Sequence, residues 1–265
     1  MGGPVCNGEI LRKTADVVIS SRPLQNVSID QYFMDAQSMV VQASNYFEYL
    51  ENKDVIFIGD GDGAASHFEL LCEEKIFEPM KSAVLLDIDE RILNYHRRIQ
   101  AEYLKASVLE SAQYNVIDPL PEEFRNRFEF FYINPPYGSA NAGASTIAWL
   151  HRCISACRRK CQGCIIIPDD ENFPWSVRAY ENVLSFLEKK NFRAVRESRN
   201  IHTYDDKGKN SGIRSTTLVV ESEDSVSSEY EDTELPDSMV KNLYGEHTAI
   251  PKRIRDDGSD YGESE

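Results

Sequence analysis

Asp54-Val-Ile-Phe-Ile-Gly59-Asp60-Gly61-Asp62-Gly63-Ala-Ala-Ser66 is the stretch that decides the fold. A short run of apolar, mostly β-branched residues makes a strand buried on both faces, and the glycines after it force a turn. From about Ala64 to Phe77 the spacing becomes helical. Strand, glycine-rich turn and helix, in that order, are the opening unit of a parallel sheet with covering helices. The alternation continues through a strand at 82–87, a helix from Glu90 to Leu109 and a strand at Tyr114-Asn-Val-Ile-Asp118. A strand at 128–133 follows, then a helix from Ser145 to about Arg159, a strand at 163–168 and a helix over 176–190. Residues 192–199 and 214–221 close the pattern as an antiparallel pair around the polar loop Asp205-Asp-Lys-Gly-Lys-Asn-Ser-Gly212. The predicted fold class is α/β, a doubly wound, mostly parallel sheet of Rossmann type with an antiparallel C-terminal strand pair.

Outward from this core, residues 1–29 form a lead-in with an amphipathic piece at Ile10–Ile19. A helix is expected from Ser28 to Glu51, capped by Ser28 or Asp30. Residues 30–220 are expected to form the main α/β domain. Residues 221–265 hold 14 of the 44 acids but 4 of the 29 Lys and Arg, so most of the net charge of −15 belongs to a tail. A charged, apolar-poor tail is expected to stay disordered and to offer a docking element for a protein partner. The remaining residues carry 30 acids against 25 bases, a balance that suits a small cationic substrate better than a phosphate backbone. No apolar run is long enough to span a bilayer and no secretory signal is evident, so a cytoplasmic protein is expected.

Ligands of open α/β sheets bind at the carboxyl ends of the strands, and three such ends carry unusual residues. At the first, Gly59 and Gly61 let the backbone approach a ligand, while Asp60 and Asp62 argue against a pyrophosphate and for the cationic end of a sulfonium nucleoside. A helix-capping acidic turn is the bland alternative. At the second, Asp87 is placed to hold a ribose hydroxyl pair beside Ile88, and Asp89 to cap the next helix. At the third, Asn134-Pro135-Pro136-Tyr137 removes two N–H donors and points acceptors into the cleft, where they hold an amino group with its lone pair aimed at an electrophilic carbon. Asp118 belongs to the same set of strand ends. Asp169, Asp170 and Glu171 are further carboxylates for a polycation.

In this order the three elements resemble class I S-adenosylmethionine-dependent methyltransferases, and Asn134-Pro-Pro-Tyr137 looks like the motif of adenine-N6 methyltransferases. From Ile29-Asp30-Gln31 through Ile58–Asp62, Leu86–Leu93 and Pro119–Phe124 to Tyr137, the chain is similar to the catalytic domain of branched-chain polyamine synthases, the bis(aminopropyl)spermidine synthase family. That resemblance implies aminopropyl transfer from decarboxylated S-adenosylmethionine to a polyamine nitrogen. It also implies a site at Gly59, Asp60, Gly61 and Asp62, where Gly61 replaces an Asp, and at Asn134, which replaces another. Methylation of an adenine or other amine from S-adenosylmethionine is the alternative, with nucleic acid as a possible partner. A non-catalytic nucleoside-binding assembly subunit is the reading from a different class.

Cys153, Cys157, Cys161 and Cys164 lie within twelve residues. A four-thiolate metal site was weighed against buried small hydrophobes, and the second is favoured: no metal is expected, and the thiols are read as free in a reducing compartment.

Overall fold

A computed structural model describes residues 4–205, 212–246 and 248–259, excepting the side chains of residues 4–6 and 159. Most of the polar loop at 205–212 and the last residues of the acidic tail therefore lie outside the described residues. Seven strands form one sheet in the order β3-β2-β1-β4-β5-β7-β6. They are β1 (Asp54–Ile58), β2 (Ser82–Asp87), β3 (Leu109–Gln113), β4 (Phe128–Ile133), β5 (Cys157–Pro168), β6 (Phe192–His202) and β7 (Ser215–Ser222). Only β7 runs antiparallel to its neighbours, β5 and β6. The helices are α1 (Pro4–Ser21), α2 (Ala36–Tyr46), α3 (Ala64–Glu73), α4 (Glu90–Tyr103), α5 (Ala144–Ala156), α6 (Pro174–Lys189) and the single turn α7 (Asp237–Val240).

The strand period of two sorts each strand between two cores. Along β1, Val55 and Phe57 face a cluster built with α1 to α4, while Ile56 and Ile58 face one built with α5, α6 and the C-terminal segment. β1 pairs with β2 on one side and β4 on the other, so the winding reverses there. This is the switch point at which a crevice opens in such sheets.

Four expectations need correction. The helix expected from Ser28 begins at Ala36, capped by Asp35, whose carboxylate accepts the Ser38 N–H at 2.7 Å. Before it the chain makes a single 3-10 turn at Val27–Ile29, and it goes no further as helix because side chains satisfy flanking backbone: Gln31 Oε1 accepts from Asn26 N–H at 3.1 Å, and Gln25 Oε1 from Phe33 N–H at 3.2 Å. The third strand is Leu109–Gln113, an edge strand with few apolar residues, and α4 ends at Tyr103. The apolar Tyr114-Asn-Val-Ile run is instead a loop buried beyond the strand's end, its Tyr114 and Val116 in the core.

The tail packs. Leu235, Leu243, Tyr244 and Ile254 are buried in the core on the α5–α6 side, and aliphatic burial on this scale stabilises by about 1.5–3 kcal/mol per side chain. Fully buried Arg152 on α5 fastens the segment: it donates to the carbonyls of Val116 and Ile117 and to those of Tyr230 and Thr233. Spaced apolar residues inside an acidic composition were enough to dock it. Finally, Cys157 and Cys161 form a disulfide at an irregularity of β5, so these two thiols are not free, whereas Cys72, Cys153 and Cys164 are. Among the described residues there is no group of three or more His, Cys, Asp or Glu side chains placed to hold a metal, and no helix long and apolar enough to cross a membrane.

Candidate active site

A cleft partly open to solvent lies at the carboxyl ends of β1, β2 and β4, where ligands of such sheets bind. Gly59, Gly61, Asp62, Asp87, Ile88, Asn134, Pro135, Pro136 and Tyr137 all line it. Asp60 and Asp118 do not.

Gly59 turns at φ 75°, and a Cβ there would stand 3.3 Å from Trp149 Nε1, so only glycine keeps this turn open beside the indole. Asp87, at the end of β2, is 7 % exposed. Its carboxylate accepts from Asp89 N–H at 2.9 Å and Asp60 N–H at 3.2 Å. A carboxylate has about four acceptor positions, so Asp87 keeps capacity for hydroxyl donors. Burial, and then the Asp89 charge, push its pKa up to about 7. Asp89 caps α4 as expected, accepting the Arg91 N–H at 3.0 Å.

Asp60 takes the structural role. Its carboxylate accepts N–H bonds from Gly63 at 3.2 Å, Ala64 at 2.8 Å and Ala65 at 2.8 Å, which caps α3 from inside the turn. Burial raises its pKa, with those amides pulling the other way.

Asp62 faces the cleft. Met34 N–H donates to Oδ1 at 2.6 Å, and the Asn134 amide nitrogen donates to Oδ2. Burial raises the Asp62 pKa against the opposing pull of Arg22 and these two donors. Asn134 Oδ1 accepts from the Tyr137 hydroxyl at 3.3 Å. The chain continues through Tyr137 and Tyr204, whose hydroxyls hydrogen-bond, to Ser215 Oγ at 2.7 Å. Asn134 is thus held by bonds at both ends of its amide, and Tyr137 by two at its hydroxyl. The Asn134 amide is oriented by the carboxylate and not by solvent.

The other carboxylates are spent elsewhere. Asp118 is exposed, and its carbonyl only receives the Tyr114 hydroxyl at 2.8 Å. Asp169 pairs with Arg199. Asp170 accepts from Asn172 N–H at 3.0 Å and Arg214 N–H at 3.2 Å, and Glu171 is exposed. Gly61 has its own explanation: a Cβ there would lie 2.6 Å from Phe33 Cε1. Phe33 is 2 % exposed and carries the Arg22 guanidinium 4.7 Å over its ring. The phenyl ring occupies the space that an acidic side chain at residue 61 would need.

Sequence reasoning missed half the wall. Ile29, Asp30, Gln31, Tyr32 and Phe33 come from the loop read as helix; Trp149, Tyr204, Ile213 and Tyr244 come from later elements. The Gln25/Gln31 pair was a signal for the loop, since amides at that spacing compete with helical hydrogen bonds. Nothing local marks Tyr244. The cleft wall contains no Lys or Arg among the described residues.

Three comparisons bear on this cleft. A curated relative, N(4)-bis(aminopropyl)spermidine synthase of Methanocaldococcus jannaschii, is 28% identical over 121 residues, 45% of this chain and 33% of that protein, so the match spans about a third of the relative's length. The branched-chain polyamine synthase of Thermus thermophilus, solved with N4-aminopropylspermidine and 5'-methylthioadenosine, superposes with a TM-score of 0.68 at 21% identity, covering 86% of this chain and 69% of that one. A putative RNA methyltransferase from Pyrococcus horikoshii gives a TM-score of 0.52 at 12% identity over 79% of this chain and 98% of its own. The two solved structures share the class I methyltransferase-like fold. The model of the branched-chain polyamine synthase A C-terminal domain family matches residues 9–264, and the chain belongs to that family.

Proposed function

We propose that the chain transfers the aminopropyl group of decarboxylated S-adenosylmethionine to a nitrogen of a polyamine. The observation that carries this reading is the pair formed by buried Asp62 and half-buried Asn134, facing a cleft that also holds Asp87. Family membership and the ligands of the Thermus relative support it.

In this scheme Asp87 binds the ribose hydroxyls, and Gly59 and Ile88 border the nucleoside. Asn134, Pro135, Pro136 and Tyr137 position the acceptor. The nitrogen lone pair attacks the aminopropyl carbon bound to the sulfonium; the N–C bond forms as the C–S bond breaks. Its electrons remain on sulfur, leaving the neutral thioether 5'-methylthioadenosine. The alkylated nitrogen becomes an ammonium, and its proton leaves to Asp62, whose raised pKa brings it closer to the working range of a base. Alignment supplies most of the rate, because nucleophile, carbon and sulfur must stand in line. Asp60 acts indirectly, by fixing the turn that carries Asp62.

Methylation of a nucleobase fits less well. Its acceptor brings a phosphate backbone, and the described cleft wall offers no basic side chain to it. Incubating the protein with spermidine and either donor, then detecting aminopropylated polyamine and methylthioadenosine by mass spectrometry, tests the proposal. Turnover with S-adenosylmethionine on nucleic acid, and none with the decarboxylated donor on any polyamine, refutes it.

A further inference from the structure

Five side chains from four separate segments join in a row that starts at the cleft and ends inside the sheet. Asp62, in the turn after β1, receives the Asn134 amide, and Asn134 Oδ1 receives the Tyr137 hydroxyl at 3.3 Å. The Tyr137 hydroxyl meets that of Tyr204, just past β6, and Tyr204 meets Ser215 Oγ, the first residue of β7, at 2.7 Å. Asp62, Asn134, Tyr137 and Tyr204 line the cleft, whereas Ser215 is fully buried and does not.

The protons of this row follow from counting. An ionised carboxylate only accepts, so Asp62 takes the NH2 side of Asn134, which turns Oδ1 toward Tyr137. A phenol has one proton to give. Tyr137 gives its own to Oδ1, so toward Tyr204 it accepts. Tyr204 spends its proton on Tyr137 and accepts in turn from Ser215. All four bonds therefore point one way, toward Asp62. Hydrogen bonds aligned head to tail polarise one another, so each donor strengthens the next. The row also carries no charge. A Lys or Arg would steady Asp62 as well, but it would repel a cationic acceptor, and the described cleft wall contains neither.

We propose that Tyr204 and Ser215 are positioning residues of the transfer, acting through this one-way row to fix the Asn134 amide and to keep Asp62 ready to receive a proton. This rests on the transfer reading above and extends it to two residues outside the Asn134–Tyr137 motif. Tyr204 also packs edge-on against the Tyr137 ring, centroids 5.8 Å apart, a contact that survives loss of the hydroxyl.

A double-mutant cycle on the full chain tests the row. The readouts are kcat and KM for spermidine with decarboxylated S-adenosylmethionine, and affinity for 5'-methylthioadenosine by calorimetry. Tyr204→Phe is expected to lower kcat by about five-fold, the worth of one neutral hydrogen bond, with nucleoside affinity unchanged. Ser215→Ala is expected to lower it by about two- to three-fold, since only the polarisation of the row is lost. In an Asn134→Ala background each substitution is expected to cost less than about two-fold, because the row no longer reaches Asp62. Equal losses in the two backgrounds would show Tyr204 acting by its own contact with the acceptor, and would overturn the row. A Ser215→Ala chain as fast as the unmodified one overturns it too. A loss that falls on nucleoside affinity in place of kcat overturns the positioning role. If the unmodified chain forms no aminopropylated polyamine, the transfer reading falls first, and this inference with it.

Discussion

Asn134 and Asp62, 72 residues apart in sequence, meet side chain to side chain, the amide nitrogen of one donating to the carboxylate of the other. The asparagine thereby spares Asp62 a second negative charge at close range. Replacing it tests both its roles. Asn134→Asp removes the donor and sets two carboxylates together, so the pair holds a proton to higher pH. Because the proposed scheme uses the ionised form as base, the acidic limb of the kcat/KM profile is expected to move upward, with substantial aminopropyl transfer retained above it. Asn134→Ala is expected to lose about 100-fold or more at every pH, the scale of one positioned polar group. An Asn134→Ala enzyme as fast as the unmodified one removes the pair from the site.

On the proposed reading, Asp87 ties donor binding to pH. Hydroxyl donors favour its ionised form, and in the free protein burial and Asp89 hold its pKa up to about 7. Affinity for the nucleoside is thus expected to be full above pH 7 and to decline as pH falls below it, with proton release on binding near pH 6. Calorimetry in buffers of different ionisation enthalpy reads that release. Asp87→Ala is expected to weaken binding by roughly 100-fold, as two charge-assisted bonds are lost, and to abolish the pH dependence; a variant that keeps it shows that another group titrates.

Gly61→Asp restores the acidic residue of the family's turn, yet Phe33 already fills that volume. The single variant is expected to lose about 1–3 kcal/mol of stability through overpacking, together with most activity. Gly61→Asp with Phe33→Ala is expected to regain activity, despite the further loss of a buried ring. Urea titration with parallel assays checks both, and a double variant no more active than the single one contradicts the volume argument.

Arg152 joins the tail to the core through four carbonyls. Arg152→Met is expected to cost at least about 3 kcal/mol, since buried acceptors lose a charged donor. Truncation after Ser225 is expected to lower the melting temperature markedly. A truncated chain that melts with the full one would show that the segment adds no stability.

The parts of this molecule that were legible in the sequence share one property: the signal and the structure are local. The run 54–58 and the glycines after it place β1 and its turn, β2 ends in Asp87 one strand over, and Asn134-Pro135-Pro136-Tyr137 lands in the cleft because a buried strand delivers it. Asp60 and Asp62, by contrast, look alike in sequence. One caps α3 and the other faces the cleft, a division set by backbone geometry over a single turn. The stretch between the 3-10 turn at Val27–Ile29 and α2 read as helix because its apolar spacing is helical, and two glutamine side chains overrode that spacing. The tail read as solvent-borne because composition averages over its acids, whereas docking depends on four side chains finding grooves made by distant elements.

The bridge between Asp89 and Ile254 also orders events during synthesis. A ribosome adding about 5–20 residues per second needs on the order of ten seconds or more to travel from Asp87 to Ile254. Through that interval the sheet's first strands have emerged, but the wall that carries Tyr244 has not. The nascent chain therefore passes through a stage with a half-built cleft, its first strands in place before Tyr244 and Ile254 can close it. A stop anywhere before residue 244 leaves the acidic turns in place and the Tyr244 side of the cleft missing.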